Sequence, residues 1–341
     1  MNVLITPLDW GLGHATRCIP VINEIQKLGH TVFIAGCGPS LHLLKIEFPN
    51  NKFFEIASYG IDYKTKLPLI AYMLSKAPGV LSTIRKEHAQ VADIVRDQKI
   101  NFIISDNRYG CYCEGIPSAI MIHQLSLQLP VVLKQIADKQ NNFLVTRFNA
   151  CWIPDLPNHA LSGQLSISNI PHKFIGPLSR MKKADTNEPP FEMLALISGP
   201  EPYRTSFDSL LTAQLKEHPS YKIVRGLPHH EATNGPIFNH LPAQQLNDLV
   251  NAAEIVIARS GYSTIMDLAA LNKKAIFVPT PGQTEQLYLA KELERKKIAP
   301  MISEKEFSLS AALDRVNKYS GFTENYFKDN LLEKTLREFL D

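Results

Sequence analysis

No uninterrupted apolar run in this chain approaches membrane-spanning length, so nothing in it reads as a helix that crosses a bilayer. An excess of one charge sign is also missing. The 36 basic and 33 acidic residues leave a net charge of +3, too near balance to argue for a nucleic-acid partner. Cysteine is sparse: five residues, at 18, 37, 111, 113 and 151. The single-residue gap between Cys111 and Cys113 fits neither a redox CxxC nor a zinc knuckle, and a reduced, cytoplasmic setting is expected. The first residues form a strand pattern without a basic leader or a small-residue cleavage site, so no signal peptide is expected. No internal repeat at a period of roughly 20–50 residues is visible, which excludes a solenoid.

What is present is a chain of 341 residues, 45% hydrophobic and 20% charged, long enough for two α/β domains that each bury a core. Strand-like runs at residues 3–6, 31–35, 102–105 and 119–123 alternate with helical patterns such as 15–28 and 81–97. The scheme repeats at residues 193–198, 222–224, 255–258 and 275–278, and predicts mostly parallel sheets. Between the halves, residues 176–190 read GPLSRMKKADTNEPP, polar and proline-rich. The expected organisation is a first domain over 1–178, a linker over 179–190 and a second domain over 191–324. A terminal helix over 325–341 is expected to pack back on the first.

Residues 7–17, PLDWGLGHATR, follow the first strand. The glycines do not make a dinucleotide fingerprint, because Thr16 stands where the third glycine of GxGxxG belongs. The acidic residue that would hold a ribose after the second strand is missing too, since that strand ends AGCG at 35–38, and no Walker lysine follows. What the loop does is bring backbone at Gly11 and Gly13 close to a ligand and set His14 at the start of a helix. The partial positive charge there disfavours imidazolium, so a neutral His14 suits a general base. Trp10 fits either the mouth of a cleft or the core.

The second half carries the sharper pattern, RSGYSTIMDLAALNKKAIFVPTPGQTEQLYLA from residue 259. Ser260 and Gly261 form a turn between a strand and a helix, whose free amides suit a diphosphate. Asp267 follows in that helix, within reach of ribose hydroxyls, and Gln283, Glu285 and Gln286 offer amides and a carboxylate to sugar hydroxyls. Ser198 and Gly199 add amides from a second loop.

These motifs resemble the GT-B glycosyltransferases of family 28, strongly at SGYSTIMD and PGQTEQ, moderately at WGLGHATR, and weakly between residues 40 and 100. The resemblance implies an α/β GT-B fold, two Rossmann-like domains facing each other across a cleft. It also implies inverting, metal-independent transfer from a nucleoside diphosphate sugar, usually UDP-linked, with no cofactor beyond that donor. By position it sets Ser260, Gly261, Thr264 and the amides at Ser198 and Gly199 by the diphosphate, with Asp267 at the ribose. Glu285 and Gln286 fall at the donor sugar, the backbone at His240 and Leu241 at the base, and His14 by the reacting centre. Many members carry glutamate where this chain has Asp267, one methylene shorter, and PEPYR at 200–204 replaces a glycine-rich run, which brings Arg204 forward as a source of phosphate-binding charge.

The acceptor side is read from SDNRYG at 105–110, which follows a strand. Asp106 is expected either to orient His14 or to act as the base itself, Arg108 to bind an acceptor phosphate, and His123 to project from the next strand end. Residues 64–86 hold five basic side chains and no acid. They read either as a pair of helices broken at Pro68 and Pro78, or as a surface resting on anionic lipid at the inner face of the membrane. The expected partners are a nucleotide-sugar donor and a cell-envelope glycan or lipid-linked acceptor, with no nucleic acid. A 2-epimerase or hydrolase on the same fold, and a non-catalytic nucleotide-sugar-binding subunit, remain open alternatives.

Overall fold

A computed structural model describes residues 1–60, 69–126, 131–227 and 235–341. The chain divides into two compact units, one formed by Met1–Arg180 with Phe327–Asp341, the other by Met181–Tyr326.

In the first unit, β1 (Asn2–Pro7), β2 (Thr31–Gly36), β3 (Lys52–Glu55), β4 (Phe102–Asp106), β5 (Ser118–Met121), β6 (Ala150–Ile153) and β7 (Lys173–Phe174) pair in parallel. Their order is β3-β2-β1-β4-β5-β6-β7. Central strands such as β1 and β4 are buried along nearly their whole length, because helices cover both faces; that is why they read as continuous apolar runs rather than alternating ones. The helices are α1 (Leu12–Lys27), α2 (Gly38–Glu47), α3 (Leu69–Gln98) and α4 (Val131–Val145). Residues 64–68 of the basic stretch lie outside the described residues. The rest corrects the expectation of a break, for α3 runs through Pro78 without interruption. Thr83, Ile84, Glu87, Val91, Ile94 and Val95 fall at helical spacing on its buried face, and packing of that face outweighs the one backbone hydrogen bond a proline removes. Among the described residues, no helix is long and apolar enough to cross a membrane.

The second unit holds β8 (Phe191–Leu196), β9 (Tyr221–Val224), β10 (Ile237–Phe238), β11 (Ala253–Ala258) and β12 (Lys274–Phe277), again parallel, in the order β10-β9-β8-β11-β12. Helices α5 (Tyr203–Leu215), α6 (Ala243–Ala252), α7 (Tyr262–Ala270), α8 (Thr284–Arg295) and α9 (Leu309–Val316) accompany it. Its core joins Phe207, Leu211 and Leu215 of α5 to Ile255 and Ile257 of β11. The last helix, α10 (Leu331–Leu340), is part of the first unit, where the Phe339 ring meets Trp152 edge-on at 5.4 Å. In both sheets the chain order reverses beside the first strand, at β1/β4 and at β8/β11. Carboxyl ends at such reversals are where open α/β sheets leave room for ligands.

Candidate active site

The carboxyl ends of β1, β4 and β5, three neighbours in the first sheet, deliver the chemistry-bearing residues of that unit. Beyond β1, Gly11 takes φ +122°, a conformation that side-chain-bearing residues rarely adopt, and so lets α1 start directly at the strand mouth. His14 therefore stands in the first turn of α1, and Arg17 one turn later on the same face.

His14 Nδ1 lies 3.0 Å from Asp106 Oδ2 at the end of β4. Arg17 grips the same carboxylate: Nε donates to Oδ1 and Oδ2 at 2.8 and 3.0 Å, and Nη2 donates to Oδ1. Nη1 of Arg17 donates to His123 Nδ1 at 2.9 Å. Guanidinium has no acceptor, so His123 Nδ1 is a lone-pair site and the neutral ring carries its proton on Nε2. Nδ1 of His14 also lies 2.9 Å from Arg17 Nη2, and the ring nitrogen cannot both donate to Asp106 and accept from Arg17. Because Asp106 Oδ2 is an acceptor only and an unprotonated Nδ1 would turn a lone pair toward it, we assign the His14 proton to Nδ1, facing the buried carboxylate, which leaves Nε2 as a basic lone pair.

Electrostatics agree with that assignment. Burial first, then the Arg17 charge, holds His14 below the ordinary histidine value of 6.5, against the pull of Asp106. For Asp106, burial works to raise the pKa, but Arg17 and His14 outweigh it and leave the carboxyl below its ordinary value. The side chain of Asp106 is 0% exposed while that of His14 keeps 17%, so of the two only the imidazole is open to solvent. Arg17 is a residue of this unit that sequence reasoning missed. The signal available was an arginine one turn after His14 on a buried helix face, which demands a buried anion.

Arg108 corrects an expectation. It is fully buried, and Nε donates to Glu87 Oε1 of α3 at 2.7 Å while Nη2 donates to the Ala57 carbonyl at 2.6 Å. Glu87 also accepts from Tyr59 Oη at 2.8 Å and from the Gly110 amide at 3.3 Å. Burial pushes the Glu87 carboxyl up, against Arg108 and these donors. Gly110 has to be glycine here, since a Cβ would lie 2.3 Å from the Ile84 carbonyl oxygen. The pair is thus an internal brace, with no guanidinium open to an acceptor phosphate. It reaches the glycine loop as well, because Arg108 Nη2 is 3.6 Å from Asp9 Oδ1. Trp10 is half-buried and edge-on to Tyr59 at 5.9 Å, packed beside Leu8 and Ile84. Gly13 is half-buried, its carbonyl accepting from Thr16 Oγ1 at 3.0 Å.

In the second unit, the loops after β8, β10, β11 and β12 leave the carboxyl edge of one parallel sheet. Ser198 and Gly199 are exposed beyond β8. His240 is exposed and Leu241 half-buried ahead of α6. Gly261 precedes α7 with no side chain capping the helix start, and Thr264 and Asp267 lie half-buried one turn apart on α7. Glu285 is half-buried in the first turn of α8. Two other residues are turned inward, contrary to expectation. Ser260 Oγ donates to the Gln286 carbonyl at 2.8 Å, and Gln286 Oε1 accepts from the Thr280 amide at 2.8 Å. Gln286 Nε2 donates to Gln283 Oε1 at 3.3 Å, so this glutamine braces its loop. Arg204 is ion-paired with Glu201, which corrects the expectation of an open phosphate-binding charge.

Arg259, to which sequence reasoning gave no role, ties the loops together. Its Nη1 donates to the Val278 and Pro279 carbonyls at 3.1 and 3.2 Å, and Nη2 to the Tyr203 carbonyl at 3.0 Å and Glu304 at 2.7 Å. The guanidinium stacks 3.9 Å from the Phe207 ring centroid.

Residues 234–334 match the sequence model of the glycosyltransferase family 28 C-terminal domain. The chain is 22% identical over 332 residues to an uncharacterized glycosyltransferase of Methanosarcina acetivorans, spanning 89% of this chain and 86% of that one. It is 21% identical over 352 residues to the UDP-N-acetylglucosamine–N-acetylmuramyl-(pentapeptide) pyrophosphoryl-undecaprenol N-acetylglucosamine transferase of Clostridium tetani, spanning 96% and 92%. Among solved structures, the spinosyn rhamnosyltransferase SpnG complexed with thymidine diphosphate superposes with a TM-score of 0.62 at 13% identity, over 100% of each chain.

Proposed function

Since the chain is a family 28-like glycosyltransferase of GT-B fold, we propose that it makes an inverting, metal-independent transfer of a sugar from a nucleoside diphosphate sugar to an acceptor hydroxyl. The observation that carries this reading is the array of His14, Asp106 and Arg17. Nε2 of His14 takes the proton of the acceptor hydroxyl as its oxygen attacks the anomeric carbon, and the bond to the diphosphate breaks on the opposite face. Asp106 stabilises the imidazolium that forms, and Arg17 keeps Asp106 ionised before the proton arrives. Departure of the nucleoside diphosphate builds negative charge. The amides at the start of α7 and the exposed Ser198 and Gly199 loop are preorganised to receive it, which is the task a metal ion performs in other transferases.

In this reading Asp267 holds the ribose, Glu285 the donor sugar hydroxyls, and the backbone at His240 and Leu241 the base. The donor is a UDP-linked sugar, a UDP-N-acetylhexosamine in this reading, and the acceptor a glycan or lipid-linked intermediate of the cell envelope. Support for UDP comes from the donor named for the Clostridium tetani relative. The experiment that tests the donor class is thermal unfolding with UDP, GDP, ADP, CDP, dTDP and NAD, wild type beside Asp267→Ala. Ligand at about 100 times Kd adds roughly 2.7 kcal/mol, enough to raise Tm by several degrees. A shift with one nucleoside diphosphate, lost in D267A, is expected; a shift with NAD alone would refute the donor assignment. Donor turnover without any acceptor would identify an epimerase or hydrolase instead.

The protein also works in this reading as a peripheral partner of the inner face of the membrane. Leu81, Arg85 and Lys86 are exposed on α3, four and five residues apart, joining an apolar group to two cations. Sedimentation with vesicles rich in anionic lipid at low salt should carry the wild type down and release the R85E/K86E double variant. Failure of the wild type to sediment would remove this part of the reading.

A further inference from the structure

Thr280 stands just past β12 and is 1% exposed, and its Oγ1 is buried without a hydrogen-bond partner. Buried hydroxyls are costly to leave unpaired, so one that stands beside a ligand-facing loop calls for a partner. The backbone around it is fixed on both sides. Gln286 Oε1 accepts from the Thr280 amide at 2.8 Å, and the preceding carbonyl of Pro279 accepts from Arg259 at 3.2 Å. A side chain on so constrained a backbone is held in place rather than left to choose its own partner.

Its location gives the missing partner a chemistry. β8 and β12 flank β11 in the sheet, and Gln286 bonds both the Ser260 hydroxyl and the Thr280 amide, so the Thr280 loop lies beside the turn that starts α7. A Cβ on Gly199 would lie 3.7 Å from Thr280 Oγ1, which puts the hydroxyl against the exposed Gly199 loop. On the other side of the turn, a Cβ on Gly261 would lie 3.9 Å from Thr264 Oγ1. Two hydroxyls thus stand about the amino end of α7, where the helix dipole favours an anion.

We infer that Thr280 is a further donor-binding residue whose hydroxyl hydrogen-bonds a phosphate oxygen of the bound nucleoside diphosphate; this rests on the donor site described under Proposed function. Gln286, half-buried in the first turn of α8, acts on the same phosphate indirectly, as the positioning residue that holds the Thr280 backbone.

The test is calorimetric titration of the full chain with UDP and with dTDP, using wild type, Thr280→Val and Thr280→Ser, beside the Tm of each protein without nucleotide. Valine keeps the shape and removes the hydroxyl. T280V should bind the nucleotide about ten- to hundred-fold more weakly, the loss of one hydrogen bond to a charged group, and T280S should recover most of that affinity. Without nucleotide, T280V should melt at the wild-type temperature or above it, because an unpaired buried hydroxyl has been removed. Unchanged affinity in T280V would overturn the inference, as it would mean that the hydroxyl meets only water. A lowered Tm together with lost affinity would overturn it too, in favour of a structural role. Wild-type protein that binds neither nucleotide would overturn the donor-site reading itself and this assignment with it.

Discussion

Replacing His14 with alanine is expected to lower kcat by about 10²–10⁴-fold, the range that a positioned general base contributes, while leaving nucleotide affinity within a few-fold of wild type. The expectation separates two roles that sequence alone leaves mixed. A donor-binding histidine would raise KM for the nucleotide sugar; a base acts only as the acceptor oxygen attacks. Asp106→Asn should reduce kcat comparably, because the amide no longer favours the Nδ1–H tautomer that frees Nε2, and the double variant should be little worse than either single one. The pH profile supplies an independent check. With His14 as the proposed base, activity requires its neutral form, and burial together with Arg17 lowers its pKa, so kcat/KM should hold until the pH falls below the ordinary histidine value of 6.5. Arg17→Met removes one of the lowering causes and should move that acid limb upward. An acid limb unmoved by R17M, with kcat intact in H14A, would leave the array without a catalytic role.

The second large effect is on stability. Arg108→Met leaves the buried Glu87 carboxylate without its cation, and breaking a buried pair in this way costs about 3–5 kcal/mol. For a domain of this size that corresponds to a fall in Tm of roughly 6–20 °C, readable by calorimetry of the first unit's transition. Glu87→Leu should cost a similar amount, and the R108M/E87L double variant should recover much of the loss, since apolar side chains can replace a buried pair with little net penalty. If Arg108 instead contacted an acceptor phosphate, R108M would keep its Tm and raise the acceptor KM. The brace also bears on catalysis at one remove. Arg108 joins α3, the Ala57 carbonyl and Asp9 of the glycine loop, so its loss should loosen the loop from which His14 departs.

How much of this was legible in advance depended on whether the determining contacts were local. The central strands were, because a strand covered on both faces must be apolar throughout, and β1, β2, β4 and β11 announce themselves by composition. The edge strands β3 and β7 were not: KFFE and KF are short and half-exposed, and only pairing with a neighbour makes them strands. Pro68 and Pro78 read as breaks, yet α3 runs through the second of them, since side-chain burial over its later turns outweighs one lost hydrogen bond.

The site followed the same division. The glycines at 11 and 261, the histidine at a helix start and the acid of the following helix were visible as motifs, because the backbone demands behind them lie within a few residues. What each polar side chain is free to do was settled by residues far away in sequence. Asp106 meets a partner 92 residues before it, Arg108 is consumed by Glu87, and the Ser260 hydroxyl is engaged by the Gln286 carbonyl. By itself the sequence determined the α/β alternation, the parallel sheets and the loops at their carboxyl ends, all of which rest on periodicity and local backbone conformation. Only the tertiary structure decided which charges are spent inside the protein and which stay open to a ligand, because a buried charge or hydroxyl must find its partner wherever the fold brings one near.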